Sequence, residues 1–152
     1  MSLLFFKNKN LCIETSRWFC IFDFGCLLYI QKMKKYLIQN SPFVVPTTDG
    51  KLIEEHHGKA STKNEAISIA HMVAPPHWKE PFQTPEFEEY TYIISGKKQF
   101  IIEEETLILE AGQSIKIEKN TRVQYSNPFN ETCEYIAICI PAFDFTKVHR
   151  EE

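Results

Sequence analysis

The residues with the most chemistry to offer lie between positions 71 and 125. Glu89 stands in an apolar and aromatic run, Phe87-Glu88-Glu89-Tyr90-Thr91-Tyr92-Ile93-Ile94. In an extended chain alternate side chains share a face, so if Glu89 points into an interior, Thr91 and Ile93 point there too. A carboxylate in apolar surroundings must be paired, hydrogen-bonded or protonated above its usual pKa, and the last case makes it a usable general acid or base. Tyr125 follows Val123 at the same two-residue spacing and offers a phenol to the same space. Gln83 lies in the stretch Phe82 to Pro85, which reads as the entrance. His71 alternates with Ile67, Ile69 and Val73 and is expected on the inner, apolar face; His77 falls in a Pro-rich loop near the mouth. Gln83, Glu89, Thr91, Tyr125 and His77 are therefore the candidate ligand-binding set, and Glu89, His71 and Tyr125 the candidate catalytic groups. Apolar walls with a few convergent polar groups are the usual composition of a small-molecule pocket. Against this stands a structural reading: Glu89 tied to Tyr125, His71 or Arg122, His71 as a hydrogen-bonded core histidine, and His77 as an exposed loop residue.

The elements that must position these groups are strands. From Lys34 onward the hydropathy alternates with period two and no stretch shows a 3.6-residue period. Strand-like runs cover Lys35 to Gln39, Phe43 to Val45, Ala66 to Val73, Tyr90 to Ile94, Gln99 to Ile102, Thr106 to Leu109, Ser114 to Glu118, Arg122 to Tyr125 and Cys133 to Ile140. Turn signals separate them: Pro46 with Thr47-Thr48-Asp49-Gly50, Pro75-Pro76, Ser95-Gly96, Glu103-Glu104-Glu105 and Ala111-Gly112. Short strands at this spacing predict an all-β sandwich or barrel. A barrel of this size is either filled by side chains or holds one ligand.

Two blocks carry a resemblance. In the first, Glu89 is followed seven residues on by Gly96; in the second, Gly112 leads through Val123 to Asn127. They resemble the two motifs of the cupin superfamily, over roughly Ile67 to Pro141. The resemblance implies a single small jelly-roll β-barrel over residues 33–152, preceded by a non-barrel extension at 1–32. In the family a His-x-His pair, the Glu and a second-motif His bind a divalent metal. Those positions are Gln83, Pro85, Glu89 and Val123 here, so only Glu89 matches. Pro85 and Val123 have no donor, and one carboxylate with one amide suits neither Zn nor Fe nor Ni. Gln83, Glu89 and His71 are the weak metal candidates that remain, and no cofactor is expected. The resemblance also implies a homodimer. The segment Gln83-Thr84-Pro85-Glu86-Phe87-Glu88-Glu89 looks partly like that of the metal-poor ethanolamine-utilisation cupins. Metal-free cupins include isomerases and epimerases, which implies an alternative in which Glu89 transfers protons with His71 or Tyr125.

Composition narrows the partners. With 17 basic and 20 acidic residues the net charge is −3, which argues against a nucleic-acid binder held by phosphate neutralisation. No helix-turn-helix pattern follows the last strand, so a DNA-binding regulator is not expected, while a sensory or protein-interaction module stays open. Residues 1–32 differ from the rest, with Lys7, Lys9, Arg17 and Lys32 against Glu14 and Asp23, and with Cys12, Cys20 and Cys26. Their apolar run, Trp18 to Ile30, contains Asp23 and at ~1.5 Å per residue falls short of a bilayer core of ~30 Å. A weak membrane anchor, a segment packed on the domain, and an upstream extension with Met33 as the start all remain open, with no membrane partner expected. There is no Cys-x-x-Cys, and five cysteines leave one unpaired in any full disulfide set, so a reducing, cytoplasmic compartment is expected. Cys133 and Cys139 read as small buried hydrophobes.

Overall fold

Alternation along the chain resolves into ten strands in a computed structural model that describes residues 35–152. The expectations for residues 1–32 lie outside the described residues. The folded unit runs from Gln39 to Glu152. Lys35 to Ile38 precede it and carry no strand, contrary to the expectation for Lys35 to Gln39.

The strands are β1 (Phe43–Val44), β2 (Leu52–His57), β3 (Ser68–Ala74), β4 (Trp78–Lys79), β5 (Glu88–Ser95), β6 (Lys97–Ile102), β7 (Glu105–Glu110), β8 (Ser114–Ile117), β9 (Val123–Asn127) and β10 (Cys133–Ile140). They form two antiparallel sheets. One has six strands in the order β1-β2-β3-β10-β5-β8, the other four in the order β4-β9-β6-β7. This is the all-β fold that the alternation predicts, in the jelly-roll form that the family resemblance implies. The expected barrel is not closed, however: among the described residues no ladder joins the two sheets, and only isolated bridges pair Gln83 with Val123 and with Arg150. Pro81 and Pro85 flank Gln83 and cannot donate to a ladder, so pairing there stays local.

The core lies between the sheets. The six-stranded sheet contributes Ala74, Ile93, Cys133, Tyr135 and Ala137, and the four-stranded sheet Trp78, Phe100, Val123 and Tyr125. Phe100 and Tyr125 are direct cross-strand partners and meet edge to face at 5.7 Å. The β5–β6 turn is made at Gly96, whose φ is 73°; a Cβ there would strike the backbone oxygen of Thr132, so this turn takes glycine alone. Glu103 and Glu104 form the solvated turn between β6 and β7, as their charges suggest.

The inner face of β3 is the reverse of the one expected. Ser68, Ala70 and Ala74 are buried, while Ile69, His71 and Val73 lie on the outer face, half-buried. The pattern fixes which residues share a face but not which face is inside. Here small residues face the core because the bulky Tyr135, Lys98 and Tyr125 already fill it.

Candidate functional site

Period two on β5 turns Glu89, Thr91 and Ile93 toward the opposite sheet, as the sequence predicts. Thr91, almost fully buried, donates its hydroxyl to Glu89 Oε1 at 3.0 Å. Across the gap, Val123 and Tyr125 on β9 face inward together, again as predicted. The same rule applied to β6 turns Lys98 inward beside Phe100, and on β10 it turns Tyr135 inward between Cys133 and Ala137. Two sheets thus bring a carboxylate, an ammonium and two phenols to one apolar interior.

Lys98 is 1% exposed. Its Nζ lies 3.3 Å from the centroid of the Tyr135 ring, 4.9 Å from Tyr125 and 5.4 Å from Phe100. Burial lowers its pKa, the neighbouring Lys51 lowers it further, and Glu89 opposes both; the result is about 7. Burial likewise raises the Glu89 carboxyl, against the pull of Lys98 and the Thr91 hydrogen bond. Lys51, which precedes β2, behaves differently. Its Nζ donates to Glu80 Oε1 at 2.7 Å and sits 4.2 Å above the Trp78 ring. Burial pulls its pKa down, but Tyr135 and Glu80 overturn that and hold it above the usual lysine value. Trp78 is fixed in turn by its Nε1, which donates to Asp49 Oδ2 at 2.6 Å.

Tyr125 Oη faces the Glu89 carboxylate and Tyr135 Oη faces Lys51. Both hydroxyls are fully buried and neither makes a hydrogen bond of sound geometry. Buried polar atoms are rarely left so. Two phenols, each beside a charged group, thus share the same interior.

The other predicted residues are placed elsewhere. Gln83 is buried and pairs its backbone with Val123 in both directions, at 2.9 and 2.8 Å. Its side-chain oxygen accepts from Arg150 Nε at 3.3 Å, so it is engaged by the C-terminal segment. His77 is exposed, in the turn that leads from Pro75 to Trp78, with φ of 61°. His71 lies on the outer face, not the inner one. Its Nδ1 and Nε2 each meet a carboxylate at 2.8 Å, from Glu54 and Glu134 respectively. The Glu54 contact, then the Glu134 contact, raises its pKa. Cys133 and Cys139 are free and buried.

Of Gln83, Pro85, Glu89 and Val123, the positions that match the family's metal ligands, Glu89 alone carries a carboxylate. Among the described residues no three His, Cys, Asp or Glu side chains gather in metal-binding geometry. Glu89 shares its surroundings with two buried lysines, of which Lys51 is held as a cation and so disfavours a second positive charge nearby. Lys98, Lys51, Glu80 and Tyr135 were not singled out from the sequence. The signal for Lys98 was available: once Phe100 faces inward, alternation carries position 98 in with it.

Comparison with known proteins agrees with this architecture. The family model described as cupin domain matches residues 70–139. An endoribonuclease YbeY from Myxococcus xanthus is 37% identical over 108 residues, which are 71% of this chain but 37% of that protein. This chain therefore spans little more than a third of the curated relative's length. Among solved structures, Streptomyces PAC13 with uridine superposes with a TM-score of 0.63 at 15% identity, covering 79% of this chain and 92% of the other; Pac13 is described as a nucleoside dehydratase. An RmlC-like cupin from Shewanella frigidimarina superposes with a TM-score of 0.60 at 11% identity, covering 74% of this chain and 95% of the other. Identities this low establish a shared fold and nothing finer.

Proposed function

The chain is a member of the cupin superfamily, and from that premise we propose that it binds a small polar organic molecule between its two sheets, against Glu89, Lys98, Tyr125 and Tyr135, without a metal at the family position. The observation that carries this reading is the pair of fully buried phenol hydroxyls, Tyr125 Oη beside Glu89 and Tyr135 Oη beside Lys51, neither in a hydrogen bond of sound geometry. The charges of the site are balanced, with Lys51 and Lys98 against Glu80 and Glu89. That balance suits a molecule with both donor and acceptor groups better than a polyanion. The buried free thiols are in keeping with a reducing, cytoplasmic setting. Among the described residues no helix is long and apolar enough to cross a membrane.

A thermal-shift screen of metabolites and divalent metals tests this, with Glu89→Gln as the control. At a hundredfold excess over its dissociation constant, a ligand of the interior stabilises the wild type by about 2.7 kcal/mol. That gain should shrink or vanish in Glu89→Gln. A ligand that stabilises both proteins equally would move the site elsewhere, and a divalent metal held at one equivalent through Glu89 would overturn the metal-free reading.

A second reading, catalysis, is favoured by one further feature. Burial raises the Glu89 pKa and lowers that of Lys98 to about 7, so the two move toward each other. This supports acid–base chemistry of the isomerase or epimerase kind, with Glu89 as the proton-transfer group. In that case Glu89→Gln abolishes turnover of a ligand found in the screen while leaving the fold intact. Ribonuclease action is a reading borrowed from a relative of which this chain is a minor part. Cleavage of an RNA oligonucleotide by the wild type, lost in Glu89→Gln, would favour it over both.

A further inference from the structure

Val123 and Tyr125 of β9 face the interior, so Gln124 between them points to the outer face of the four-stranded sheet. It is nevertheless only 4% exposed. The chain from Lys79 to Gln83 runs along this edge of β9, seated by the amides of Glu80 and Gln83, which donate to the carbonyls of Tyr125 and Val123 at 3.0 and 2.9 Å. The C-terminal segment is fixed beside it. The Glu151 amide donates to the Phe82 carbonyl at 2.8 Å, and the Glu151 carboxylate accepts from Nε and Nη2 of Arg122 at 2.6 and 2.8 Å. The Arg122 guanidinium lies 3.7 Å from the centre of the Phe82 ring. These contacts frame a cleft of about 400 Å³, with Gln124 in its lining and Pro81 and Phe82 as its apolar side.

Three groups of the cleft are uncommitted. The Gln124 side-chain amide offers two N–H donors and a carbonyl acceptor, and among the described residues it makes no hydrogen bond. Buried amides are rarely left so, because withdrawal from water costs them free energy that only a partner restores. Lys79 and Glu152 also line the cleft, carry opposite charges, and form no ion pair among the described residues. The remaining charges hold one another: Glu151 holds Arg122, and Glu80 holds Lys51 at 2.7 Å and Arg150 at 3.4 Å. An amide that donates and accepts, with one free cation, one free anion and an apolar side in the same lining, is complementary to a molecule with both charges and a hydrocarbon part.

We propose that this cleft binds a small zwitterion of the amino-acid class, with its carboxylate on Lys79, its ammonium on Glu152, a head group hydrogen-bonded to the Gln124 amide, and its hydrocarbon chain on Pro81 and Phe82. A simple acid or a simple amine leaves one of the two charged side chains unpaired, so the cleft favours molecules that carry both groups. Its volume falls within the range of small-molecule pockets. It lies on the opposite face of β9 from the interior, and it stands whether or not the interior takes a ligand.

Calorimetric titration of the full chain tests this. The probes are L-leucine and ε-aminocaproate, which hold the two charges at different separations, and isocaproate and isoamylamine, each of which lacks one of leucine's charged groups. At least one zwitterion should bind with a dissociation constant below about 10 mM, and about tenfold or more tighter than isocaproate or isoamylamine. Lys79→Gln and Glu152→Gln, both at exposed positions, should each weaken that binding about tenfold. Gln124→Leu, similar in volume and with no amide to bury, should weaken it as much while melting no lower than the wild type. The proposal is overturned if neither zwitterion binds, if isocaproate or isoamylamine binds as tightly, or if any one of these three variants binds as the wild type does. Glu89→Gln separates the two sites. Binding lost in that variant belongs between the sheets and overturns this assignment, whereas binding kept there and weakened in Lys79→Gln supports it.

Discussion

Lys51 and Lys98 are the same residue type in the same interior, and one neighbour separates their characters. Glu80 holds Lys51 at 2.7 Å, while Lys98 has rings around it and no carboxylate so close. The consequence is a stability that depends on pH. In the unfolded chain a lysine loses its proton near its model value of 10.5, but in the folded protein burial brings Lys98 to about 7. Between those limits the unfolded state binds more protons, so folding stability rises with pH through that window and falls as pH drops toward 7. The groups that set this are Lys51, Glu89, Glu80 and Cys133 around the Lys98 amine. Lys98→Met removes the effect. Near pH 7 and below the variant should be the more stable by roughly 1–4 kcal/mol, as when a buried charge is replaced by an apolar group of similar volume. The gap should close as pH rises toward 10 in parallel melting curves. A gap that does not change with pH would show that the ammonium keeps its proton. Of these residues, Glu89, Thr91 and Tyr125 were legible in the sequence, because motif spacing and alternation both pointed inward. Lys98 was masked by its own type, since a charged residue in a strand reads as solvent-facing. His71 was misplaced for the opposite reason: its isoleucine neighbours look like core, but they cover the outside of a sheet whose inside is crowded with tyrosines.

At the scale of elements, the ends of the strands are held by side chains whose loss costs stability and leaves the chemistry alone. Asn127 closes β9 and is fully buried. Its Nδ2 donates to the carbonyls of Ala74, Pro75 and Glu131 at 3.2, 3.0 and 2.7 Å, and its Oδ1 accepts from the Phe129 amide at 3.3 Å. One side chain therefore ties the end of β3, the start of the following turn and the loop before β10. Asn127→Ala leaves those carbonyls unsatisfied and should cost about 2–3 kcal/mol in urea unfolding, with the outline of the far-ultraviolet spectrum kept. A loss below about 0.5 kcal/mol would mean that water replaces the amide freely. The same local forces explain which elements the sequence hid. β2 reads Leu52-Ile53-Glu54-Glu55-His56-His57, too polar to suggest a strand. It forms because Glu55, although charged, is buried where the amides of Ala60 and Ser61 satisfy Oε1 at 2.9 and 2.8 Å. β4 has two residues, Trp78 and Lys79, and pairs only with the end of β9. No pattern of alternation can show over so short a span. Of the longer strands, β3, β5 and β10 were legible from apolar or alternating runs, and β6 only in part, from Gln99 to Ile102.

At the scale of the whole molecule, an apolar surface stands exposed among the described residues. The outer face of the six-stranded sheet carries Tyr90 and Tyr92, the latter 49% exposed, together with Ile94 and Ile140, each 41% exposed. Ile136 and Ile138 lie beside them and line a cleft of about 160 Å³ with Tyr90, Tyr92, Ser114 and Lys116. A one-sided antiparallel sheet ordinarily turns polar side chains to water, and contiguous apolar patches on such a face mark contact with another molecule. The face runs along neighbouring antiparallel strands, so a second copy can meet it about a two-fold axis, with like residues opposite each other. We propose that the protein is a homodimer joined through this face. Light scattering at micromolar concentration should give twice the chain mass. Tyr92→Lys and Ile94→Lys place charges in the middle of the proposed contact and should each give the monomer. Both positions are exposed, so each substitution should change the stability of the single chain by no more than about 0.5 kcal/mol, which separates dissociation from misfolding. A wild type that scatters as a monomer, or a dimer that survives both lysines, would place the contact elsewhere.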